Sequence, residues 1–226
     1  MLSAIIVAAG ASERMGFDKL FAPLGDKPVV ARTIDAFEQS CVNEIVLVGR
    51  TDNLEELRKV LGANTKVRHL VSGGALRQDS VRAGLQQVDA RADYVGVHDA
   101  ARPLITPEKI ARVFKVAREH GAAALAEPIS DTLKRADLDL VVRESIDRDQ
   151  LFAMQTPQVF ARELLVEAYE ALAVKNISVT DEVSAVQHLG RKVVLVPNRD
   201  FNFKITYPRD FLLAEFVFRH RTREAS

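Results

Sequence analysis

Residues 2–19 read Leu2-Ser3-Ala4-Ile5-Ile6-Val7-Ala8-Ala9-Gly10-Ala11-Ser12-Glu13-Arg14-Met15-Gly16-Phe17-Asp18-Lys19. An apolar, β-branched run passes directly into small residues and then into two cations. Continuous rather than alternating apolarity marks a strand covered on both faces, as in parallel sheets. Runs of the same kind recur at residues 45–48, 67–71, 94–97, 122–125 and 193–196. Helical periodicity lies between them. Val29, Val30, Thr33, Ile34 and Phe37 share one face, as do Ile110, Val113, Phe114 and Ala117. The second of these stretches opens on Thr106-Pro107, an N-cap and N1 pair, and closes on Gly121, suited to a left-handed C′ position. A last helix follows Pro208, with Phe211, Leu212, Glu215, Phe216 and Arg219 at periods of three and four. Strands alternating with helices predict a mainly parallel α/β sheet with helices on both faces.

Residues 132–148 break the alternation. They are highly charged, with Leu138, Leu140 and Val142 at period two, and predict a hairpin with its turn at residues 136–139. So few apolar residues build no core of their own. The segment is therefore expected to protrude as a β-arm at about residues 132–150 and to lie on the second subunit of a homodimer. No repeat or interdomain linker interrupts the rest, so residues 1–226 are expected to form a single domain.

The chain has 226 residues, 47% of them hydrophobic and 27% charged, and its 31 basic side chains balance 31 acidic ones. This length and apolarity bury a substantial core, which excludes a disordered, collagenous or coiled-coil chain. Zero net charge provides no global field for a nucleic-acid backbone or an anionic membrane, so any anionic ligand must meet locally clustered cations. Cys41 is the only cysteine, which fits a reducing compartment, and its expected role is packing at a helix end. The five histidines are scattered without metal-ligand spacing. No apolar run approaches the ~18–20 residues of a membrane span, and no basic leader precedes the first strand, so a cytoplasmic protein is expected.

In open parallel sheets ligands bind beyond the carboxyl ends of the strands. After the first strand, Ala8, Ala9 and Gly10 allow close backbone approach and offer N–H groups to phosphate, with Arg14 and Lys19 supplying charge. The loop matches neither the dinucleotide fingerprint nor the P-loop. After the third run, Gly73 and Gly74 suit a turn with positive φ, and Ser80 near the next helix start suits a nucleobase or ribose. After the fourth, Asp99 in His98-Asp99-Ala100-Ala101-Arg102-Pro103 can accept a substrate hydroxyl, approach a metal or pair with Arg102, while His98 reads as a packed residue. Beyond these lie Gln155-Thr156-Pro157-Gln158, Val179-Thr180-Asp181-Glu182 and Asn202-Phe203-Lys204-Ile205-Thr206. Taken alone, Thr180 is most simply an N-cap and Lys204 a surface charge. Asp137-Leu138-Asp139 matches the D-x-D metal motif of nucleotide-sugar glycosyltransferases, but its place in the hairpin turn makes it a solvated turn.

Together and in this order, the segments resemble the 2-C-methyl-D-erythritol 4-phosphate cytidylyltransferase family of the nucleotidyltransferase superfamily. The resemblance spans nearly the whole chain and agrees with a Rossmann-like sheet carrying a protruding β-hairpin arm. It implies that the first loop, with Ala8, Ala9 and Gly10, wraps the CTP triphosphate, and that Arg14 and Lys19 stabilise the transition state. Gly73, Gly74 and Ser80 would flank the cytosine. Asp99, Arg102, Thr180 and Lys204 would line the methylerythritol phosphate pocket, reached from the partner subunit by Thr132 and Arg148. Some members have Gly where this chain has Ser12 and an acidic residue where it has Ala75, which removes one possible nucleotide contact. A ribitol 5-phosphate cytidylyltransferase shares most of these loops. A glycosyltransferase would need Asp137 and Asp139 as metal ligands, and a regulator without turnover would leave Arg14, Lys19 and Lys204 idle.

The implied chemistry explains why no triad or general base is visible. A phosphate monoester has its second pKa near 6, so at neutral pH the nucleophile is already mostly a dianion. What remains is to bring two anions together in line and neutralise the charge on the α-phosphate. Cations do this with Mg²⁺, which is expected to be held mainly by substrate phosphates rather than by a carboxylate cage.

Overall fold

The structure is a computed structural model that describes residues 1–10, 15–62 and 66–224. The opening run forms β1 (Leu2–Ala8), which lies inside a seven-stranded sheet. On one side it pairs in parallel with β4 (Glu44–Gly49), and β4 pairs in parallel with the edge strand β5 (Val67–Ser72). On the other side it pairs in parallel with β6 (Tyr94–Asp99). Beyond lie β10 (Phe152–Ala161), β7 (Ala122–Pro128) and β11 (Val194–Pro197), in the order β11-β7-β10-β6-β1-β4-β5.

Period two decides which way each strand residue points. In β1, Ala4 and Ile6 join the cluster packed under α1 (Val29–Glu38), α2 (Leu54–Leu61) and α4 (Pro107–His120). Ile5, between them, joins the opposite cluster under α3 (Arg77–Leu85), α5 (Arg162–Lys175) and α6 (Glu182–Gln187). Phe37, Phe114 and Phe160 are among the largest fully buried side chains, each contributing about 2 kcal/mol from burial. The α4 caps are as expected: Thr106 accepts from Lys109 N and Gly121 takes the left-handed conformation. The final helix, α7 (Pro208–Glu224), packs Ala214 and Val217 beside Leu24 of the short ribbon β2 (Pro23–Leu24) and β3 (Lys27–Pro28).

The mainly parallel sheet is as expected, but one strand in it goes unannounced and three expectations need correction. The sheet holds β10, an antiparallel strand between β6 and β7 that the apolar runs do not announce. Gln155-Thr156-Pro157-Gln158 interrupts its apolarity, and the register with β7 shifts between Met154 and Gln158. The β5 strand is not covered on both faces, because it is an edge strand with Arg68, His69 and Ser72 exposed. Cys41 does not pack at a helix end; it is exposed in the turn after α1. In the hairpin β8 (Leu133–Ala136) and β9 (Val142–Ile146), the turn falls later than expected, at residues 137–141. Leu138 and Leu140 thus stand in the turn rather than on one strand face, with Leu140 at φ 61. Asp137 caps this turn by accepting from Asp139 N and Val141 N and pairs with Arg143, so the D-x-D residues make a solvated turn.

Candidate active site

A cleft opens beyond the carboxyl ends of β1, β5 and β6. It is lined by Val7 and Ala8 at the end of β1, Ala9 and Gly10 after it, Lys19 and Leu20, Gly74 to Arg77 and Ser80 around the start of α3, and Asp99, Ala101 and Lys204. Neither Gly73 nor Gly74 has the positive φ expected of it. They are small because α3 presses on them: a Cβ at Gly73 would clash with the Ser80 hydroxyl, and one at Gly74 with Asp79. Ser80 is buried and accepts from Gly74 N at 3.3 Å while donating to Leu76 O at 3.3 Å, so its hydroxyl ties this turn to the helix.

Beneath the cleft runs a network of buried charge. Glu182, fully buried at the start of α6, takes a bidentate bond from Arg77 at 2.7 and 3.1 Å and a third from the Tyr169 hydroxyl at 3.1 Å. Arg77 also reaches Asp99 at 3.1 Å. Asp99 meets Lys204 at 3.1 Å and Arg102 at 3.5 Å, and Arg102 donates to Asn202 O at 2.8 Å. Burial alone would push the Asp99 carboxyl up, but Arg77, Lys204 and Arg102 together hold it well below the usual carboxylate range. Burial would lower Arg77, and Glu182 and Asp99 outweigh it and raise it. Burial dominates at Arg102 and lowers it despite Asp99.

His98 is fully buried, with its pKa pushed down to about 3 by desolvation. Its Nε2 lies 3.3 Å from Arg102 O, which can only accept, so that nitrogen carries the proton. Nδ1 then accepts from Thr156 Oγ1 at 3.0 Å, and Thr156 accepts from Asp99 N at 3.1 Å. The packed role expected for His98 is what the structure gives it.

With this geometry in view, comparison with known proteins settles the family. The model of "IspD: 2-C-methyl-D-erythritol 4-phosphate cytidylyltransferase" matches residues 2–220. The chain belongs to the 2-C-methyl-D-erythritol 4-phosphate cytidylyltransferase family. A member from Symbiobacterium thermophilum is 41% identical over 99% of this chain and 95% of its own length. Another, from Alkaliphilus oremlandii, is 40% identical over 97% and 95%. The crystal structure of 4-diphosphocytidyl-2C-methyl-D-erythritol synthase from Anaerococcus prevotii superposes with TM-score 0.85 at 30% identity, covering 96% of each chain. The cytidylyltransferase from Thermus thermophilus superposes with TM-score 0.79 at 30% identity, covering 95% of this chain and 98% of that one. The chain is thus a nucleotidyltransferase enzyme.

Of the residues that the family resemblance implicates, the cleft brings together Ala8, Ala9, Gly10, Lys19, Gly74, Ser80, Asp99 and Lys204. Gly73 lies just behind, its N–H donating to Gly49 O at 2.7 Å, and Arg102 sits under Asp99. Arg14 and Ser12 lie outside the described residues. Thr132 and Arg148 are exposed at the base of the arm, where Arg148 donates to Ser130 O, and neither lines the cleft of its own chain. Thr180 is exposed and does not line it either; the N-cap of α6 is Asp181, whose carboxylate accepts from Ser184 N at 3.0 Å.

The sequence reading gave no role to Glu182 or Gln158. Gln158 Oε1 accepts from Glu182 N and Val183 N, each at 3.0 Å, and so gives an acceptor to the orphan N–H groups of the helix start that presents Glu182. Both residues stand in segments that were singled out. The available signal was a carboxylate one residue after an N-cap and ahead of Val183, Ala185 and Val186, a place that the helix period turns inward.

Proposed function

We propose that this cleft transfers the cytidylyl group of CTP to 2-C-methyl-D-erythritol 4-phosphate, giving 4-diphosphocytidyl-2-C-methyl-D-erythritol and pyrophosphate in the non-mevalonate supply of isoprenoid precursors. The observation that carries the reading is the family match along residues 2–220, laid on a cleft that joins the small-residue loop to the Asp99–Lys204 pair. A phosphate oxygen of the acceptor attacks the α-phosphorus; the bond to the bridging oxygen breaks and pyrophosphate leaves with its electrons. No side chain has to accept a proton, because the nucleophile is already a dianion. His98 fits this, being held neutral and turned into the protein.

Ala8, Ala9, Gly10, Arg14 and Lys19 take the triphosphate, with Gly73, Gly74 and Ser80 around the cytosine. Asp99 holds Lys204 toward the acceptor phosphate with Arg102 beneath it, and Thr180, outside the cleft lining of the single chain, is assigned to the outer part of the acceptor pocket. Because the substrates are polyanions and Asp99 is already matched by cations, the cleft receives charge without a large reorganisation. Mg²⁺ is taken as an ion held mainly by the triphosphate, in keeping with its preference for waters and phosphate oxygens over an all-protein cage; among the described residues no three His, Cys, Asp or Glu side chains converge. When bound, Mg²⁺ supplies further neutralisation of phosphate charge.

The chain works as one domain carrying an inserted arm, and as a homodimer in which Thr132 and Arg148 complete the partner's acceptor pocket. The arm's exposed Leu138, Leu140, Val141 and Val142 support this, since they meet nothing in their own chain that buries them. No helix among the described residues is long and apolar enough to cross a membrane, and we place the enzyme in the cytoplasm. The test is to supply CTP and Mg²⁺ with each polyol phosphate in turn and follow pyrophosphate release. Release with methylerythritol phosphate and not with ribitol 5-phosphate is expected; no release with methylerythritol phosphate overturns the reading.

A further inference from the structure

Gly10 stands two residues after the end of β1, and Asp18 one residue before Lys19. Both are held by the same side chain. Arg50 follows Gly49, the last residue of β4, which is in register with Ala8 of β1. Its Nη1 donates to the Gly10 carbonyl at 2.9 Å and its Nη2 to the Asp18 carboxylate at 3.0 Å. Its Nε donates to Asp52 at 2.9 Å, which fixes the guanidinium plane. The other oxygen of Asp18 accepts from Leu20 N at 3.1 Å, and its carbonyl accepts from Phe21 N at 3.2 Å. The grip on Asp18 is thus passed on to the backbone on the far side of Lys19.

We propose that Arg50 is a positioning residue for nucleotide binding, a clamp on Gly10 and Asp18 that sets the Gly10 backbone and Lys19 toward the anion before it arrives. This rests on the reading of the cleft as the CTP site. Arg50 is not among the residues lining the cleft, so it acts through the loop rather than on the phosphate. Ordering a loop costs conformational entropy, and where the free protein has already met that cost binding is tighter. Only a planar fork with separate N–H groups can serve three acceptors at once; a lysine ammonium keeps the charge and cannot span them.

Arg50→Met, which keeps the apolar stem, is expected to raise KM for CTP about 10-fold, as loss of preorganisation does, and to leave KM for the acceptor within about 2-fold. Melting temperature should barely move, because partly exposed ion pairs add little to stability. Arg50→Lys should behave like Arg50→Met. In the absence of nucleotide, tryptic cleavage after Lys19 should quicken several-fold in both variants and slow again with saturating CTP. That second readout needs no turnover, so it tests the clamp even if the acceptor assignment fails. Unchanged KM for CTP, full rescue by lysine, unchanged cleavage, or both KM values rising together with a fallen melting temperature would each overturn the proposal.

Discussion

At the scale of single residues, the division of labour is between side chains that meet substrate and side chains that hold those in place. Lys19 is 9% exposed at the wall of the cleft. Removing one preorganised charge donor costs about 100- to 1000-fold in turnover, so Lys19→Ala should lose that much kcat with an unchanged circular dichroism spectrum; near-normal kcat would remove Lys19 from the reaction. His98 makes a separate prediction. Its folded pKa of about 3 lies below its ordinary 6.5, so the unfolded chain binds a proton that the folded one refuses. Stability is fully present above pH 6.5 and is lost as pH falls toward 3. The loss amounts to about 2 kcal/mol by pH 5. Asp99, also depressed, acts in the same direction but only below the ordinary carboxylate range, which leaves pH 5–7 to His98. Urea midpoints measured between pH 7 and 5 should fall in the wild type and stay nearly flat in His98→Gln. Equal slopes would show that His98 titrates normally.

At the scale of elements, α3 shows how packing places chemistry. Its Gly84 lies against β1 and β4, where a Cβ would stand 2.7 Å from Ile5 Cγ2 and 2.9 Å from Val48 Cγ2. Overpacking of this kind costs about 1–3 kcal/mol, so Gly84→Ala should lower the melting temperature by roughly 3–10 °C. It should also lower kcat/KM for CTP, because the same helix carries Arg77 and Ser80 at its first turn. Unchanged melting would mean that α3 lifts away without cost. These placements were unevenly legible. The runs around Ile5, Val46 and Val97 announced their strands because parallel central strands are apolar on both faces. The cleft residues followed from the ends of those strands. Strand β10 was hidden because its central Gln155, Thr156 and Gln158 spend their polarity inside the protein: Gln155 on Glu127, Thr156 on His98 and Asp99 N, and Gln158 on the start of α6. Period and apolarity cannot report a buried residue whose partner is another buried polar group. Glu182 escaped for the same reason, since the arginine that neutralises it stands 105 positions away.

At the scale of the whole molecule, equal numbers of acidic and basic side chains conceal an arrangement. Lys19, Arg77, Arg102 and Lys204 gather around the cleft, where Asp99 and Glu182 oppose the three that belong to the buried network. The cleft expected to be cationic is therefore a partly neutralised one, able to take polyanions without exposing bare charge between turnovers. One part of the proposed site is missing from the single chain: Arg148 and Thr132 stand away from the cleft lining, at the base of an arm whose apolar turn residues are exposed. If the arm serves the partner, Arg148→Ala should raise KM for methylerythritol phosphate about 10-fold with little change in KM for CTP, the size expected when one charge-assisted bond is lost. Two defects should then complement each other across the dimer. Co-expressing Lys19→Ala with Arg148→Ala chains places, in every mixed dimer, one site with its own Lys19 and the partner's Arg148 both intact. Random pairing makes half of the dimers mixed, each with one sound site of two, so about a quarter of wild-type activity should return. The assay is run at acceptor concentrations well below KM, where each parent variant is nearly silent. An arm that folds back onto its own chain leaves every site with one defect, and the mixture would then show no more than the average of the two parents.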